Sequence, residues 1–473
     1  MASPFLTLED LKACFSLFCV AFGIGSLGMP GNYARAGYVW ATVALAFMAS
    51  INLYALVCIS KVMLVAPKKV QTLGDMGEWV FGKTGRWVTV ITHMLVCTMV
   101  PIVFLVLGGT LLTVLFPGSY DDSTWIALMG LSLLPVCLIP TLKDGAGTAA
   151  AGALGTVFAD VIALYILINN TTPMPSGISP PSPHITFEGV TTVFGNLSLA
   201  YGAGVIIPSL QREHSQPERM PRVITVTISV ITVLFLLISI CGDFTMGCQI
   251  PGNLLFAIIG DSLGFTASRG GIILSFLFMQ LHISIAFALV LFPAMFIAER
   301  LILGLHKERF TLNAPAYVDV ETPDEAKTDA AVADVADEVN DEVLDPSAAY
   351  KAPGAYLKAA VLRILMVVLC VVIAIVFKDK FSDLLDFVGA SATSLCCTIL
   401  PIAFYLRTFR HTMGLPEKCF AVLSIVVTSA LAIYVSVNTG KALFSPTPQT
   451  IKFPFCEPEF QTYVYTNRTY YKY

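Results

Sequence analysis

Two pairs of closely spaced glycines, each followed by a proline, stand inside long apolar stretches of the chain. The first runs from Gly23 to Pro30 as GIGSLGMP, and the second runs from Tyr201 to Pro208 as YGAGVIIP. Backbone groups freed by such breaks are tolerated at membrane depth only beside protein or a water-filled cavity. Free N–H groups suit a carboxylate and free carbonyls suit an ammonium group. The two breaks together predict a binding site for a small zwitterion.

Within this site we expect the N–H groups of one break to bind the carboxylate and carbonyls near both breaks to bind the ammonium group. A single G-x-G would more simply indicate close helix packing, because small residues are common at helix contacts in membranes. Two matched breaks, each with its proline, favour the binding site. The residues predicted to bind the zwitterion are Gly23, Gly25, Ser26, Leu27, Tyr201, Gly202 and Gly204.

Four ionisable side chains lie inside apolar stretches, namely His93, Asp160, Asp243 and His282. Such groups are costly in a membrane and are functional candidates for that reason. We select Asp160 and His282 as candidates for coupling to a proton, since histidine titrates near neutral pH. Ser284, two residues after His282, could instead contribute oxygen to a sodium site. The alternative for His282 and His93 is that both are neutral, hydrogen-bonded packing residues.

The composition shows what kind of structure must position these residues. The chain has 473 residues, of which 56% are hydrophobic and 13% are charged, and its mean hydropathy is +0.77. A soluble domain carries about 25% charged residues, so a soluble enzyme is excluded. The 28 basic and 32 acidic residues form no basic stripe, which excludes a nucleic-acid binder. We find no catalytic triad, metal cluster or nucleotide-binding loop, and expect no enzyme activity and no cofactor.

The apolar stretches predict an all-α integral membrane protein with eleven transmembrane helices. A bilayer core of about 30 Å requires about 20 apolar residues per helix. The breaks fall in helices 1 and 6, five helices apart, which predicts a 5+5 inverted repeat plus one extra helix. One transmembrane domain then covers residues 1–437, with repeats at 12–168 and 190–406. The predicted helices 1 to 11 are 12–36, 38–63, 87–116, 124–141, 147–168, 190–213, 221–245, 270–303, 356–377, 384–406 and 417–437.

Charge distribution predicts the orientation. With a cytosolic N-terminus, 20 of the 28 Lys and Arg residues fall on the cytosolic side, as the positive-inside rule requires. The tail 438–473 is then extracytosolic. Cys248 and Cys456 face the same side, where a disulfide and two free thiols are equally compatible with the sequence. Asn170 and Asn467 head glycosylation sequons on that side.

The segment 305–355 joins helices 8 and 9 and is predicted to be a disordered, acidic cytosolic loop. Residues 319–345 carry eleven acids and one base, a net charge of −10. A solvated linker is the simplest interpretation, and a regulatory role is the alternative.

Several motifs in the chain resemble the amino acid/auxin permease family of the amino acid-polyamine-organocation transporters. The resemblance implies eleven helices, a leucine-transporter-like arrangement of the first ten, and secondary active transport of amino acids. The matching segments are Gly23–Pro30 with Ala36-Gly37, Leu199–Pro208, Pro217–Arg222, Leu291–Ala294, Glu299-Arg300, Gly389–Thr393 and Leu400–Leu406.

The resemblance also bears on coupling. Sodium-coupled members of this family carry an Asn about four residues before the first helix-1 glycine, where this chain has Cys19. Cysteine is a poor ligand for a hard cation, so a proton-coupled symporter of small zwitterionic amino acids is favoured. A sodium-coupled symporter and an amino acid sensor with little flux are the alternatives. About eleven residues precede helix 1, fewer than we expect of a sensor with a partner-binding tail.

The sequence is compatible with a protein of the plasma membrane and with one of the vacuolar or lysosomal membrane. The sequence determines neither the amino acid nor the oligomeric state.

Overall fold

The structure is a computed structural model, and it describes residues 4–139, 145–171, 180–260, 263–305, 350, 352–445 and 452–464. These residues form helices and no strand. Most of the loop 305–355 and the sequon at Asn467 lie outside the described residues.

The predicted helix numbering can be carried directly onto the structure. Helices 1 and 2 share the helix Met29–Val65, which is kinked at Gly37. A short helix precedes helix 3 within Leu73–Leu115 and is separated from it by a kink at Gly82. Helix 1 begins earlier, as Leu8–Ala21 and Ile24–Leu27. Helices 4 and 5 are Asp122–Cys137 and Gly145–Thr171. Helix 6 is Phe187–Ala200, continuing as Ala203–Ile206 and Ile207–Glu213, and helix 7 is Met220–Met246. Helix 8 is Arg269–Ala298, continuing as Glu299–Leu303, and helices 9, 10 and 11 are Ala355–Val376, Phe381–Thr408 and Leu415–Phe444.

Nine helices in the described part of the chain are long and apolar enough to cross a membrane. Two of the predicted spans, helices 1 and 4, differ from a single long membrane-crossing helix. Helix 1 is divided into pieces and then joined to helix 2, while helix 4 has 16 residues, fewer than the usual span. The kink at Gly37 has φ of 73°, a conformation that glycine adopts without steric cost. The count of eleven spans stays a prediction.

Helix packing brings the two broken helices into the centre of the bundle. The joined helices 1 and 2 pack on helices 6 and 7, and helix 8 packs on helices 3 and 5. Helix 10 lies beside helix 6 and contains two π-helical turns, Gly389–Thr393 and Leu395–Ile399. Such turns occur frequently at functional sites. Helix 11 packs on helix 10.

We call the end of the bundle that contains the N-terminus the inner end. There Thr7 caps helix 1, and Asp10 is fully buried. The Asp10 carboxylate accepts from the guanidinium of Arg219 at 2.7 Å and lies 3.1 Å from Nε2 of His214. These contacts join the start of helix 1 to the segment between helices 6 and 7. The opposite, outer end contains Gly37 and the chain after helix 11.

Candidate functional site

The break in helix 1 lies at Phe22 and Gly23, where the helix Leu8–Ala21 ends and Ile24–Leu27 begins. The Gly23 carbonyl accepts from the backbone N–H of Ser26 at 3.0 Å and from the Ser26 hydroxyl at 2.9 Å. A carbonyl oxygen has two lone pairs, so Ser26 already satisfies this one. The sequence predicted that carbonyls near Gly23 and Tyr201 would bind the ammonium group, and the carbonyl of Gly23 itself is engaged by this tight turn.

Asp160 of helix 5 reaches into this break. Its Oδ2 lies 2.8 Å from the Ser26 hydroxyl oxygen, and only 2% of the residue is exposed. Its second oxygen, Oδ1, is buried without a hydrogen-bond partner among the described residues. No described basic group lies within ion-pair distance of it. Asp160 is therefore a carboxyl group held at the centre of the membrane domain by one hydroxyl.

The Ser26 hydroxyl has one hydrogen but two acceptor-type neighbours, the Gly23 carbonyl and the Asp160 carboxyl. If Asp160 carries a proton, both hydrogen bonds of this series can form, because Asp160 donates to Ser26 and Ser26 donates to Gly23. If Asp160 is ionised, one hydrogen must be shared between two acceptors. The geometry favours the protonated carboxyl.

His282 of helix 8 approaches the same break from another side. Its Nδ1 lies 3.1 Å from the carbonyl of Gly152, an acceptor, so Nδ1 carries hydrogen. Its Nε2 is buried without a described partner, and a Cβ added to Gly23 would lie 2.7 Å from it. The structure therefore brings His282 against the helix-1 glycine, with its unpartnered Nε2 facing that residue.

Ser284 occupies a different position, although it is close to His282 in sequence. Its hydroxyl donates to the Gln280 carbonyl of its own helix at 2.8 Å. Two residues correspond to about 200° around a helix, so Ser284 points away from the face that contacts helix 1. Cys19 of helix 1 lies against helix 5, because its sulfur would be 2.9 Å from a Cβ added to Gly152. In the described part of the chain, no group of three or more His, Cys, Asp or Glu side chains could hold a metal ion.

The break in helix 6 has the same form. The helix Phe187–Ala200 ends at Tyr201, and a single 3₁₀ turn, Ala203–Ile206, follows. The Tyr201 carbonyl accepts from the N–H of Ala203 at 2.8 Å. The Tyr201 side chain points to helix 7, where its hydroxyl lies 2.8 Å from that of Thr232. Tyr201 can thus contribute its backbone to a ligand, while its phenol anchors the break.

The two breaks touch each other directly. A Cβ added to Gly25 would lie 2.5 Å from the Cβ of Ala200, so only glycine fits between the helices in this conformation. Helix 10 closes a further side, because Cβ atoms added to Gly202 and Gly204 would meet Thr393 and Cys397 at 2.7 and 3.0 Å. The predicted residues of both breaks are therefore neighbours.

A small cavity of about 30 Å³ lies where the breaks meet, with room for no more than about two water molecules. Of the residues that line it, Thr393 alone has a polar side chain, and its hydroxyl has no hydrogen-bond partner among the described residues. Thr393 was not among the site residues predicted from the sequence, although a hydroxyl group inside an apolar span could have identified it. The lining residues are Val20, Ala21, Gly23, Ile24, Gly25, Val96, Val100, Phe104, Leu199, Gly202, Val205, Ala286, Val290 and Thr393.

Polar side chains close the outer end above this cavity. The Arg35 guanidinium donates to both oxygens of Asp386 in helix 10, at 2.6 and 3.2 Å. It also donates to Asn32 at 2.8 Å, and Asn32 donates to Asn196 of helix 6 at 2.8 Å. We call Asn32, Arg35, Asn196 and Asp386 the outer network. This network links helices 1, 6 and 10 above the breaks.

Two broken helices facing each other across a buried cavity define a membrane transporter of the leucine-transporter-like fold. The solved structure of MhsT in complex with L-phenylalanine is similar over 91% of this chain and 98% of that one, with a TM-score of 0.55 and 12% identity. The manganese transporter of Eremococcus coleocola, solved in a mutant form, matches over 94% of this chain and 89% of that one, with a TM-score of 0.53 and 12% identity. These likenesses confirm the predicted fold.

The chain belongs to the family described as transmembrane amino acid transporter protein, whose sequence profile matches residues 9–440. Among curated proteins, amino acid transporter AVT1I of Arabidopsis thaliana is 25% identical over 244 residues, covering 50% of this chain. The match spans 60% of that relative's length. The family membership confirms the predicted resemblance and supports the expectation that the chain is not an enzyme.

Proposed function

We propose that this chain is a proton-coupled transporter of neutral amino acids that works by alternating access. The observation that carries the proposal is the hydrogen-bonded chain from Asp160 through Ser26 to Gly23. It places a carboxyl group that can gain or lose a proton directly on the broken segment of helix 1. An unpaired charge inside a membrane protein is costly, so the protonation state of Asp160 and the conformation of the break are linked.

In the proposed cycle, the amino acid binds between the breaks of helices 1 and 6. Its carboxylate approaches the N–H groups of the short segment Ile24–Leu27, beginning with that of Gly25, because N–H groups freed by a helix break favour an anion. Ionised Asp160 would repel that carboxylate, whereas protonated Asp160 does not. Substrate and proton therefore bind together, which is the requirement for symport.

The cavity must expand and open for this cycle. At about 30 Å³ it is too small for an amino acid, and both ends of the bundle are closed by side-chain contacts. Opening the outer end requires separation of Arg35 from Asp386, which lie on helices 1 and 10. Opening the inner end requires movement near Asp75 and Arg300, 3.8 Å apart on the inner helix before helix 3 and on the end of helix 8.

The sodium-coupled alternative has less support from the geometry. Cys19 packs against helix 5, and the Ser284 hydroxyl is bonded within helix 8. A sodium ion would need several oxygen ligands at one point. The sensor alternative makes a separate prediction, namely saturable binding without flux.

The deciding experiment is uptake of labelled neutral amino acids into proteoliposomes under an imposed proton gradient, an imposed sodium gradient, or neither. We expect accumulation under the proton gradient alone. Accumulation under the sodium gradient alone would contradict the proposed coupling. Binding without flux under any gradient would instead identify a sensor.

Replacing His282 by Ala should reduce the pH dependence of uptake, while the part that depends on Asp160 remains. The imidazole Nε2 faces Gly23 with no described partner, so a proton bound there would change the charge beside the break. The measurement is uptake rate from pH 5 to 8 in proteoliposomes. His93→Ala is a matched control, because His93 is also buried with an Nε2 that has no described partner, whereas the side chain nearest to a Cβ added to Gly23 is that of His282. An unchanged pH profile in the His282 variant would assign that residue to packing.

Replacing Thr393 by Val should raise the KM for uptake about tenfold. The hydroxyl is the polar side-chain group of the cavity lining, and a lost hydrogen bond of about 1.4 kcal/mol corresponds to a factor of ten. Valine retains the shape. Thr110→Val is the control, since the Thr110 hydroxyl donates to the Val106 carbonyl of its own helix. Equal KM values in the two variants would show that Thr393 does not contact substrate.

We further propose that the inner end faces the cytosol and that the protein resides in the plasma membrane or in a vacuolar or lysosomal membrane. The disulfide between Cys248 and Cys456 supports this orientation, because disulfides persist in oxidising compartments. Asn170 is exposed at the end of helix 5 and is a proposed glycosylation site on the same side.

A further inference from the structure

The central cavity has two chemically different sides. On one side are the breaks, where Gly23 and Gly25 of helix 1 and Gly202 of helix 6 line the cavity with backbone groups. The other side comes from helices 3 and 8, which pack on each other. Because the charged groups of a bound amino acid need the backbone groups of the breaks, its side chain is left to face helices 3 and 8.

Helices 3 and 8 present regularly spaced hydrocarbon side chains to the cavity. Successive members of each set are four residues apart, so each set lies along one face of its helix. Both helices lie entirely within the described residues, and none of their lining side chains contains nitrogen, oxygen or sulfur. We call these residues the hydrocarbon wall: Val96, Val100 and Phe104 of helix 3, and Ala286 and Val290 of helix 8.

The polar side chains near the cavity lie at the breaks. Thr393 of helix 10 lies beside the helix-6 break, because its Cγ2 would be 2.7 Å from a Cβ added to Gly202. His282 turns its Nε2 toward Gly23 at the helix-1 break. Both side chains are therefore near the backbone groups that we assign to the amino and carboxylate groups of the substrate.

Close packing holds the hydrocarbon wall in place. Val96, Phe104, Ala286 and Val290 are each at most 4% exposed, and the ring of Phe104 meets that of His282 edge-on with centroids 6.3 Å apart. Protein interiors are packed as densely as organic crystals, so these side chains do not swing aside to offer a polar group behind them. A polar substrate side chain would lose its hydrogen bonds to water here without gaining others.

We propose that the hydrocarbon wall makes this protein select amino acids with hydrocarbon side chains and reject neutral amino acids whose side chains carry a hydroxyl or an amide group. This selectivity rests on the proposed function, because it requires the amino acid to bind between the two breaks. Charge is not the criterion, since threonine and asparagine are as neutral as valine and leucine and have nearly the same shapes. Val100 and Val290, one from each helix, are the proposed determinants.

The test compares these two matched pairs of amino acids in proteoliposomes under an imposed proton gradient. Valine should exceed threonine in kcat/KM by about 10- to 100-fold, because a hydrophobic pocket discriminates against an added hydroxyl by up to about this factor. Leucine should exceed asparagine by at least as much, since an amide carries more hydrogen-bonding groups than a hydroxyl. Equal kcat/KM values within both pairs would overturn the proposal.

Variants locate the selectivity on the wall. Val100→Thr and Val290→Thr keep the shape of the side chain and add a hydroxyl, whose oxygen can accept from the threonine substrate even while its hydrogen bonds to the preceding turn. Each variant should lower the ratio of valine to threonine about tenfold, the effect of one hydrogen bond. Val88→Thr is the matched control on helix 3, where Val88 is 43% exposed, and it should keep the original ratio. The proposal is overturned if both wall variants also keep it.

Equilibrium binding of the same four amino acids to the purified protein separates this inference from the proposed function. Binding with the expected preference but without proton-driven uptake rejects the transport proposal and leaves the selectivity in place. Proton-driven uptake of valine and threonine at equal rates rejects the selectivity and leaves the transport proposal in place. Neither binding nor uptake of any of the four rejects both.

Discussion

Replacing Asp160 by Asn is expected to abolish proton-driven accumulation of amino acids while preserving exchange. A gradient of one pH unit stores about 1.36 kcal/mol per proton, enough for tenfold accumulation by a symporter that carries one proton. Asparagine can still donate to Ser26, as protonated aspartic acid does, but it cannot release a proton. The variant should therefore equilibrate labelled amino acid to a ratio of one and still exchange it for unlabelled substrate loaded inside.

The matched control for this experiment is Asp243→Asn. Asp243 lies in helix 7 and is partly exposed, whereas Asp160 is the carboxyl group that contacts Ser26 at the break in helix 1. This control should retain tenfold accumulation. Accumulation by Asp160→Asn under the same gradient would refute the assignment of the coupling proton to Asp160.

Replacing Gly25 by Leu is expected to abolish uptake. A Cβ at position 25 would lie 2.5 Å from that of Ala200, well inside the usual 3.5–4.0 Å separation of carbon atoms. Helices 1 and 6 would be forced apart at the proposed substrate site. Uptake should fall at least a hundredfold, measured against the amount of protein incorporated into the liposomes.

The matched control is Gly270→Leu, which makes the same substitution where there is open space, since a Cβ added to Gly270 has no neighbour within 4 Å. That variant should transport normally. Normal transport by Gly25→Leu would show that the binding site does not lie between the two breaks.

Local sequence signals predicted much of the fold. Glycine and proline marked the breaks in helices 1 and 6, and the structure ends regular helix at Ala21 and at Ala200. Apolar length predicted most helix bounds within a few residues. Helix 11 runs from Leu415 to Phe444, longer than the predicted 417–437, because the outer turns carry polar residues that lower local hydropathy.

The site was less predictable, because its key contacts join residues far apart in sequence. Asp160 was selected for the cost of burying a carboxyl group, but its partner Ser26 is 134 residues away. Arg35 was not among the candidate site residues, and its partner Asp386 is 351 residues away. His282 and Ser284 show the opposite difficulty, since they are close in sequence but lie on different faces of helix 8. Pairing of this kind depends on helix rotation, which hydropathy does not report.

Asp160 has a further consequence, because no described basic side chain neutralises it within ion-pair distance. A zwitterionic amino acid has no net charge, so under the proposed coupling to one proton each transport cycle moves one elementary charge across the membrane. The membrane potential then drives transport as directly as the pH difference does. A potential of 100 mV contributes about 2.3 kcal/mol per charge, which corresponds to roughly 45-fold accumulation. Transport by this protein would therefore generate an electric current, whose sign and size report the number of protons moved per amino acid.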